Sequence, residues 1–227
     1  MGMEALRKKL GESPEFARAM PLVLFAGLTA LQGKLGLFSE FWLYGLKTLM
    51  GCWLVWEMRP YVQEMRWKIS WEAIAVGIGV FVIWVGLDGH YPRLAKLEAD
   101  AGWNPLKQFP TQPGIAWFFI VFRIVGSSLV VPPLEEVFSR SFLYRYLVKL
   151  DFLAMPLGQF HLLSFVVTSA IFGLMHPDRW VAGILCGLAY QGLAIRKGRL
   201  GDSMTAHGIT NLVLGVYLVW KGAWSFW

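Results

Sequence analysis

The sequence predicts an all-α membrane protein, a polytopic bundle of about eight transmembrane helices around an intramembrane polar cavity. Three observations carry this expectation. The chain has 227 residues, 56% of them hydrophobic and only 16% charged, whereas a soluble domain carries roughly 25% charged residues. Its mean hydropathy is +0.49. Formal charge is missing from residues 19–33, 73–87, 108–122, 152–177, 180–195 and 203–220, and a helix crosses the hydrocarbon core with about 20 apolar residues. The shorter stretches reach that length by tilting or through their flanks.

The elements follow in order. Residues 1–20 are amphipathic and basic, with Arg7, Lys8, Lys9 and Arg18, and are expected on the cytoplasmic surface. Spans are predicted at 20–38, 41–58 and 72–88. Lys34 and Lys47 fall inside the first two and are read as snorkelling to the surface. Residues 89–113 form a long polar connection with Trp103 and several prolines. A span at 114–131 contains Arg123, which either snorkels or pairs with a carboxylate of the next helix. Helices at 134–149, 160–176, 180–196 and 203–221 complete a single integral membrane domain over 1–227. Its N-terminal spans occupy 1–131, and the motif-bearing helices 132–221. Cys52 and Cys186 lie in apolar spans and read as packing residues, not a disulfide.

The net charge of +6 is accounted for by Lys and Arg flanking the spans, so no nucleic-acid partner is expected. No secretory leader is evident, because the first apolar stretch begins behind a charged head. The basic N-terminus and the cluster Arg196, Lys197 and Arg199 both favour the cytoplasm. Eight full crossings would put them on opposite sides. A half-crossing segment, with 134–149 the candidate, would reconcile them.

Ionisable groups inside a bilayer are costly and mark pathways or sites. Three sets stand out. In "PPLEEVFSR", Pro132 and Pro133 suit the first turn of a helix, whose N-terminus favours carboxylates. Glu136 and Arg140 are four apart and share a face, while Glu135 is rotated by about 100°. In "FGLMHPD", His176 precedes Pro177 and is pushed out of helical conformation, so the helix breaks there. In "HGITN", His207 and Asn211 lie four apart on one face of an otherwise apolar helix. Each set alone has a plainer reading: a surface ion pair, an interfacial histidine, or an interhelical hydrogen bond.

Taken together, "EEVFSR", "FGLMH" and "HGITN" resemble the motif set of the CPBP (CaaX protease and bacteriocin-processing) family of intramembrane proteases, in order and in placement on separate helices. The resemblance covers about residues 132–218. It implies a catalytic set of Glu135, Glu136, Arg140, His176, His207 and Asn211. Glu135 and His176 would activate a water, Glu136 and Arg140 would support Glu135, and His207 and Asn211 would stabilise an oxyanion. It implies a glutamic-type mechanism without a cofactor. The alternative is zinc held by Glu135, His176 and His207 with one open position, although no His-Glu-x-x-His pair is present. The implied partners are a membrane-associated peptide or protein substrate and the lipid bilayer. The implied location is a bacterial inner membrane or other cytoplasmic membrane. A non-catalytic scaffold, a bacteriocin-immunity protein and a small-solute transporter are the competing functions.

Overall fold

A computed structural model describes residues 2–94 and 103–227, and among these every regular element is helical. The elements are α1 (Met3–Glu12), α2 (Pro14–Leu31), α3 (Ser39–Met58), α4 (Trp71–Gly86), α5 (Pro105–Gln108), α6 (Pro113–Leu129), α7 (Val131–Glu136), a π-helical turn (Val137–Leu143), α8 (Tyr144–Tyr146), α9 (Leu162–Leu174), α10 (Trp180–Lys197) and α11 (Gly201–Lys221). Local chemistry sets several boundaries. The Ser13 hydroxyl accepts from the Phe16 N–H and the Ser70 hydroxyl from the Ala73 N–H, capping α2 and α4. Gly198 and Gly222 close α10 and α11 in left-handed conformation, which glycine adopts at little cost.

Most long helices coincide with the predicted segments. The first, expected at 20–38, lies at Pro14–Leu31, because Ser13 and Pro14 start it early and Gly33 and Gly36 take left-handed angles beyond its end. A second correction is larger. The segments 114–131 and 134–149 are not separate helices. They form one helical run, Pro113–Tyr146, because Val130 keeps right-handed helical angles between them. The division at 131/132 therefore falls inside a continuous element. Pro132 and Pro133 lack the N–H groups that would bond the Ser128 and Leu129 carbonyls, which loosens the run without ending it. The π-helical turn follows immediately.

This fusion also resolves the conflict over the basic clusters. An even number of traverses, made by α2, α3, α4, the α6–α8 run, α9 and α10, now separates the N-terminus from the α10–α11 connection. Both clusters lie at one end of the bundle, gathered around residues 59–70. There Arg18 donates to Glu64 at 2.9 Å and Arg145 at 2.8 Å, and Ser141 bonds the same carboxylate. Lys197 meets Glu72 at 2.6 Å, and Ser70 and Arg199 both meet Asp202 at 2.5 Å. α1 docks here too, with Leu6 and Leu10 buried and Arg7 forked onto Glu57 at 2.7 and 2.9 Å. The opposite end holds the contacts of Arg179 with Asp88 and of Trp103 with the Glu40 carbonyl.

Small residues let the helices approach closely. A Cβ on Gly183 of α10 would lie 2.8 Å from the Gly173 Cα of α9, and one on Gly77 of α4 would lie 2.6 Å from the Ala206 carbonyl of α11. The outer faces carry large apolar side chains. Leu49, Val82, Phe118, Leu163 and Val216 are each more than half exposed. Cys52 is exposed and Cys186 buried, and neither is bonded to the other.

Glu64 ties three elements together. Burial pushes its carboxyl up, but the charge of Arg18 and the hydrogen bonds from Ser141 and Arg18 outweigh this and hold it below the ordinary range. A depressed folded-state value contributes stability above the unfolded value, and that stability is lost as pH falls through the folded value. Glu64→Gln is therefore expected to lower the unfolding midpoint most near neutral pH. The gap to wild type should close as the pH drops through the carboxylate range, which thermal unfolding across a pH series will measure.

Candidate active site

The sequence-predicted residues come from four elements: α7, the π-helical turn, the end of α9 and α11. Glu135 and Glu136 close α7, and Arg140 lies in the π-helical turn behind it. Such turns occur frequently at functional sites. Glu136 and Arg140 are 0% and 1% exposed, with Oε2 and Nε 3.2 Å apart. Arg140 also lies over the Phe172 ring at 4.4 Å and reaches the Gly187 carbonyl at 3.4 Å. The second Glu136 oxygen, Oε1, faces His207 Nδ1 at 3.0 Å. Thus the pair grips His207 of α11, whereas the resemblance implied that it would support Glu135.

His207 is fixed from its other side as well. Tyr190 stacks on its ring at 5.1 Å and 17°. The Tyr190 hydroxyl donates to Thr210 at 2.7 Å, and Thr210 donates to the Gly77 carbonyl at 2.8 Å. One turn beyond His207, Asn211 donates from Nδ2 to the Ser127 carbonyl at 2.8 Å. That carbonyl is next to those freed by the prolines. Asn211 retains a second N–H.

His176 lies beyond the end of α9, as Pro177 dictates. Its Nδ1 is 2.9 Å from the Phe172 carbonyl, so Nδ1–H donates there and Nε2 keeps its lone pair. The Trp84 ring packs edge-on at 5.4 Å. Glu135, His176, His207 and Asn211 all line one narrow cavity of about 90 Å³. Glu135, His176 and Asn211 also line a second cavity of about 710 Å³, and Trp84, Val131 and Leu214 are common to both. The Glu135 Oε2 atom is buried with no hydrogen-bond partner among the described residues.

Two residues of the larger cavity carried no functional weight in the sequence. Lys47 was expected to snorkel. Instead it is 5% exposed, with Nζ 2.9 Å from Thr29 Oγ1 and over the Tyr44 and Phe25 rings at 4.7 and 5.1 Å. Among the described residues, Arg123 pairs with no carboxylate of the following segment. Its guanidinium lies among Trp103, Tyr44 and Trp227 at 4.5, 4.9 and 4.9 Å. Lys34, by contrast, is exposed in the turn before α3. Only the position of Lys47 in the middle of a span hinted at its place, because nothing local distinguishes a buried lysine from a snorkelling one.

No three His, Cys, Asp or Glu side chains among the described residues are grouped to hold a metal ion. Of the three residues weighed for zinc, His207 has its Nδ1 facing Glu136 Oε1 at 3.0 Å and His176 has its Nδ1 on the Phe172 carbonyl.

Removing one member of a buried ion pair strands the other and costs about 3–5 kcal/mol. Arg140→Met should show a loss of that order in unfolding experiments. The double change Glu136→Gln with Arg140→Met should recover part of it, since the Glu136–Arg140 pair is then removed whole and only the charged contact of Glu136 with His207 is lost.

Comparison with known proteins gives a single finding. No curated protein and no solved structure matches the chain. Residues 116–213 match the family model described as Type II CAAX prenyl endopeptidase Rce1-like. That segment contains Glu135, Glu136, Arg140, His176, His207 and Asn211. The site-bearing segment is thus similar to a family of CAAX-type peptidases, over 98 of the 227 residues.

Proposed function

We propose that the protein is an intramembrane endopeptidase of the CAAX-protease type, hydrolysing a peptide bond of a membrane-associated peptide or protein. The observation that carries this reading is the convergence of Glu135, His176, His207 and Asn211 on one cavity, within the segment matched by the family model. A water held between Glu135 and the bare Nε2 of His176 is the nucleophile. Glu135 takes its proton as oxygen attacks the carbonyl carbon, then passes that proton to the leaving nitrogen as the C–N bond breaks.

The developing oxyanion needs preorganised donors. Asn211 offers its second N–H. His207, with Nδ1–H committed to Glu136, donates from Nε2 as an imidazolium, and Glu136 supplies the countercharge. The fixed stack on Tyr190 keeps that donor aimed. The prenyl group named by the family description would be accommodated by apolar walls such as Leu22, Phe25 and Leu214, which line the larger cavity.

A polytopic membrane location is supported by the exposed apolar belt, which exceeds what soluble surfaces carry. It is also supported by two helical runs, Pro14–Leu31 and Pro113–Tyr146, long and apolar enough to cross a bilayer. Both basic clusters lie at one end of the bundle, as a cytoplasmic face requires. The host membrane is read as a bacterial inner membrane or another cytoplasmic membrane.

The test uses the full chain in lipid nanodiscs and a synthetic peptide ending in S-farnesylcysteine-Val-Ile-Ala, with products followed by mass spectrometry. Glu135→Gln should fold and insert yet lose activity by about 10²–10⁴-fold. Near-normal turnover by that variant would end the assignment. Exhaustive chelation should leave wild-type turnover intact. Stoichiometric zinc whose removal abolishes activity, and whose return restores it, would replace the cofactor-free mechanism with a metal-dependent one.

A further inference from the structure

At the basic end of the bundle lies a cavity of about 520 Å³, separate from the candidate active site. It is lined by Arg18 of α2, Arg145 of α8, Leu153, and Tyr61, Glu64 and Arg66 of the 59–70 connection. Arg18 and Arg145 are 3% and 5% exposed, and Arg66 is exposed. Of the described lining residues, three carry a guanidinium and one a carboxylate. Glu64 Oε1 is shared by the two buried arginines, at 2.9 Å from Arg18 and 2.8 Å from Arg145. One carboxylate therefore serves two buried cations, and a guanidinium does not deprotonate to relieve the mismatch. Arg18 Nη1 donates one hydrogen to the Pro14 carbonyl, and Arg145 Nη1 one to the Met155 carbonyl. Each of these nitrogens carries two. The connection 89–113 is held at the opposite end of the bundle, where the Leu94 N–H donates to the Pro177 carbonyl and Trp103 to the Glu40 carbonyl.

Planar guanidinium forks match phosphate oxygens, and such charge-assisted bonds are the strong ones. Two features favour a phosphate carried by a lipid over a free one. Leu153, itself a wall of the cavity, is exposed, as are Leu147 and Leu150 of the same segment, which gives acyl carbons apolar surface beside the arginines. The amphipathic α1 ends against the cavity: a Cβ on Gly11 would lie 3.2 Å from the Tyr61 ring, and Lys8 and Lys9 of that helix are exposed. Basic amphipathic helices lie along anionic membrane surfaces.

We propose that this cavity binds the phosphate of an anionic phospholipid headgroup, with Arg18, Arg66 and Arg145 as donors and Leu153 against the acyl chains. The bound lipid joins α2, the 59–70 connection and α8 from outside, at the point where Glu64 joins them from within. The proposal needs a membrane location and does not depend on the peptidase reading.

The test uses full-length protein in detergent micelles, with bound lipid counted by native mass spectrometry. The probes are phosphatidylglycerol and phosphatidylcholine of identical chains, which share the phosphate and differ in the choline cation. One phosphatidylglycerol should bind about tenfold or more tighter than phosphatidylcholine, the range of a charge-assisted contact. Millimolar inorganic phosphate should not displace it. Equal binding of the two lipids overturns the proposal. Displacement by inorganic phosphate overturns the lipid assignment in favour of a free anion.

Charge reversal at two exposed arginines of the same connection separates a built site from a merely basic surface. Arg66→Glu should weaken phosphatidylglycerol binding about tenfold. Arg59→Glu makes the same change in net charge at a residue that lies over Trp56 and is not among the described lining residues. It should weaken binding about twofold or less. Equal losses overturn the site. Glu64→Gln removes the competing carboxylate and frees both buried guanidiniums. Although less stable alone, it should bind phosphatidylglycerol about threefold or more tighter, and the lipid should raise its unfolding midpoint more than that of wild type. Unchanged or weaker binding by folded Glu64→Gln protein overturns the role given to Arg18 and Arg145. Thermal unfolding shows whether that variant is folded, and if it is not, the comparison of Arg66→Glu with Arg59→Glu decides.

Discussion

Glu136 is fully buried, and its two oxygens face Arg140 on one side and His207 on the other. A carboxylate in that position is costly unless paired, so Arg140 must be buried with it, and Arg140 in turn requires the Phe172 face and the Gly187 carbonyl. Through these contacts one carboxylate joins α7, the π-helical turn, α9, α10 and α11. Glu135 is adjacent in sequence and is carried by the same helix, so the grip on Glu136 also places Glu135 at the cavity. The close helix approaches at Gly173, Gly183 and Gly77 are conditions for this geometry, because larger side chains would move the three walls apart.

The cavity divides its charges by role. The Glu136–Arg140 pair is closed to the cavity and acts on His207. Glu135 faces the cavity with an oxygen that no described protein group satisfies. Lys47 and Arg123 are held by aromatic rings. The polar junction around Glu64, at the end of the bundle, is different in kind. There Arg18, Arg145 and Ser141 satisfy one carboxylate, and the result is a structural tie between α2, the 59–70 connection and α8.

Much of the architecture was legible because long apolar helices obey local rules. The uncharged stretches mark helices because backbone groups in an apolar medium must bond within the segment. The spacing of Glu136 and Arg140 places them within reach, and Pro177 ends the helix before His176. The joining of 114–131 and 134–149 was not legible. Two adjacent prolines ordinarily mark a helix start, and the conformation of Val130 that lets the run continue depends on packing. The π-helical turn was hidden for the same reason, as no residue type specifies it.

By itself, the sequence determined the helical class, the helices on which the polar groups lie, and which of them share a face within one turn. These follow from hydrophobicity and from a period of 3.6 residues, both short-range properties. Tertiary structure alone decided that Glu136 meets a histidine 71 residues away, that Lys47 is buried instead of snorkelling, and that Arg123 lies among aromatic rings. Those outcomes depend on which helix faces which, and residues far apart in the chain become neighbours only when packing removes the alternatives. A lysine in an apolar helix carries the same local signal whether its amine reaches water or a closed chamber, and only the neighbouring helices choose between them.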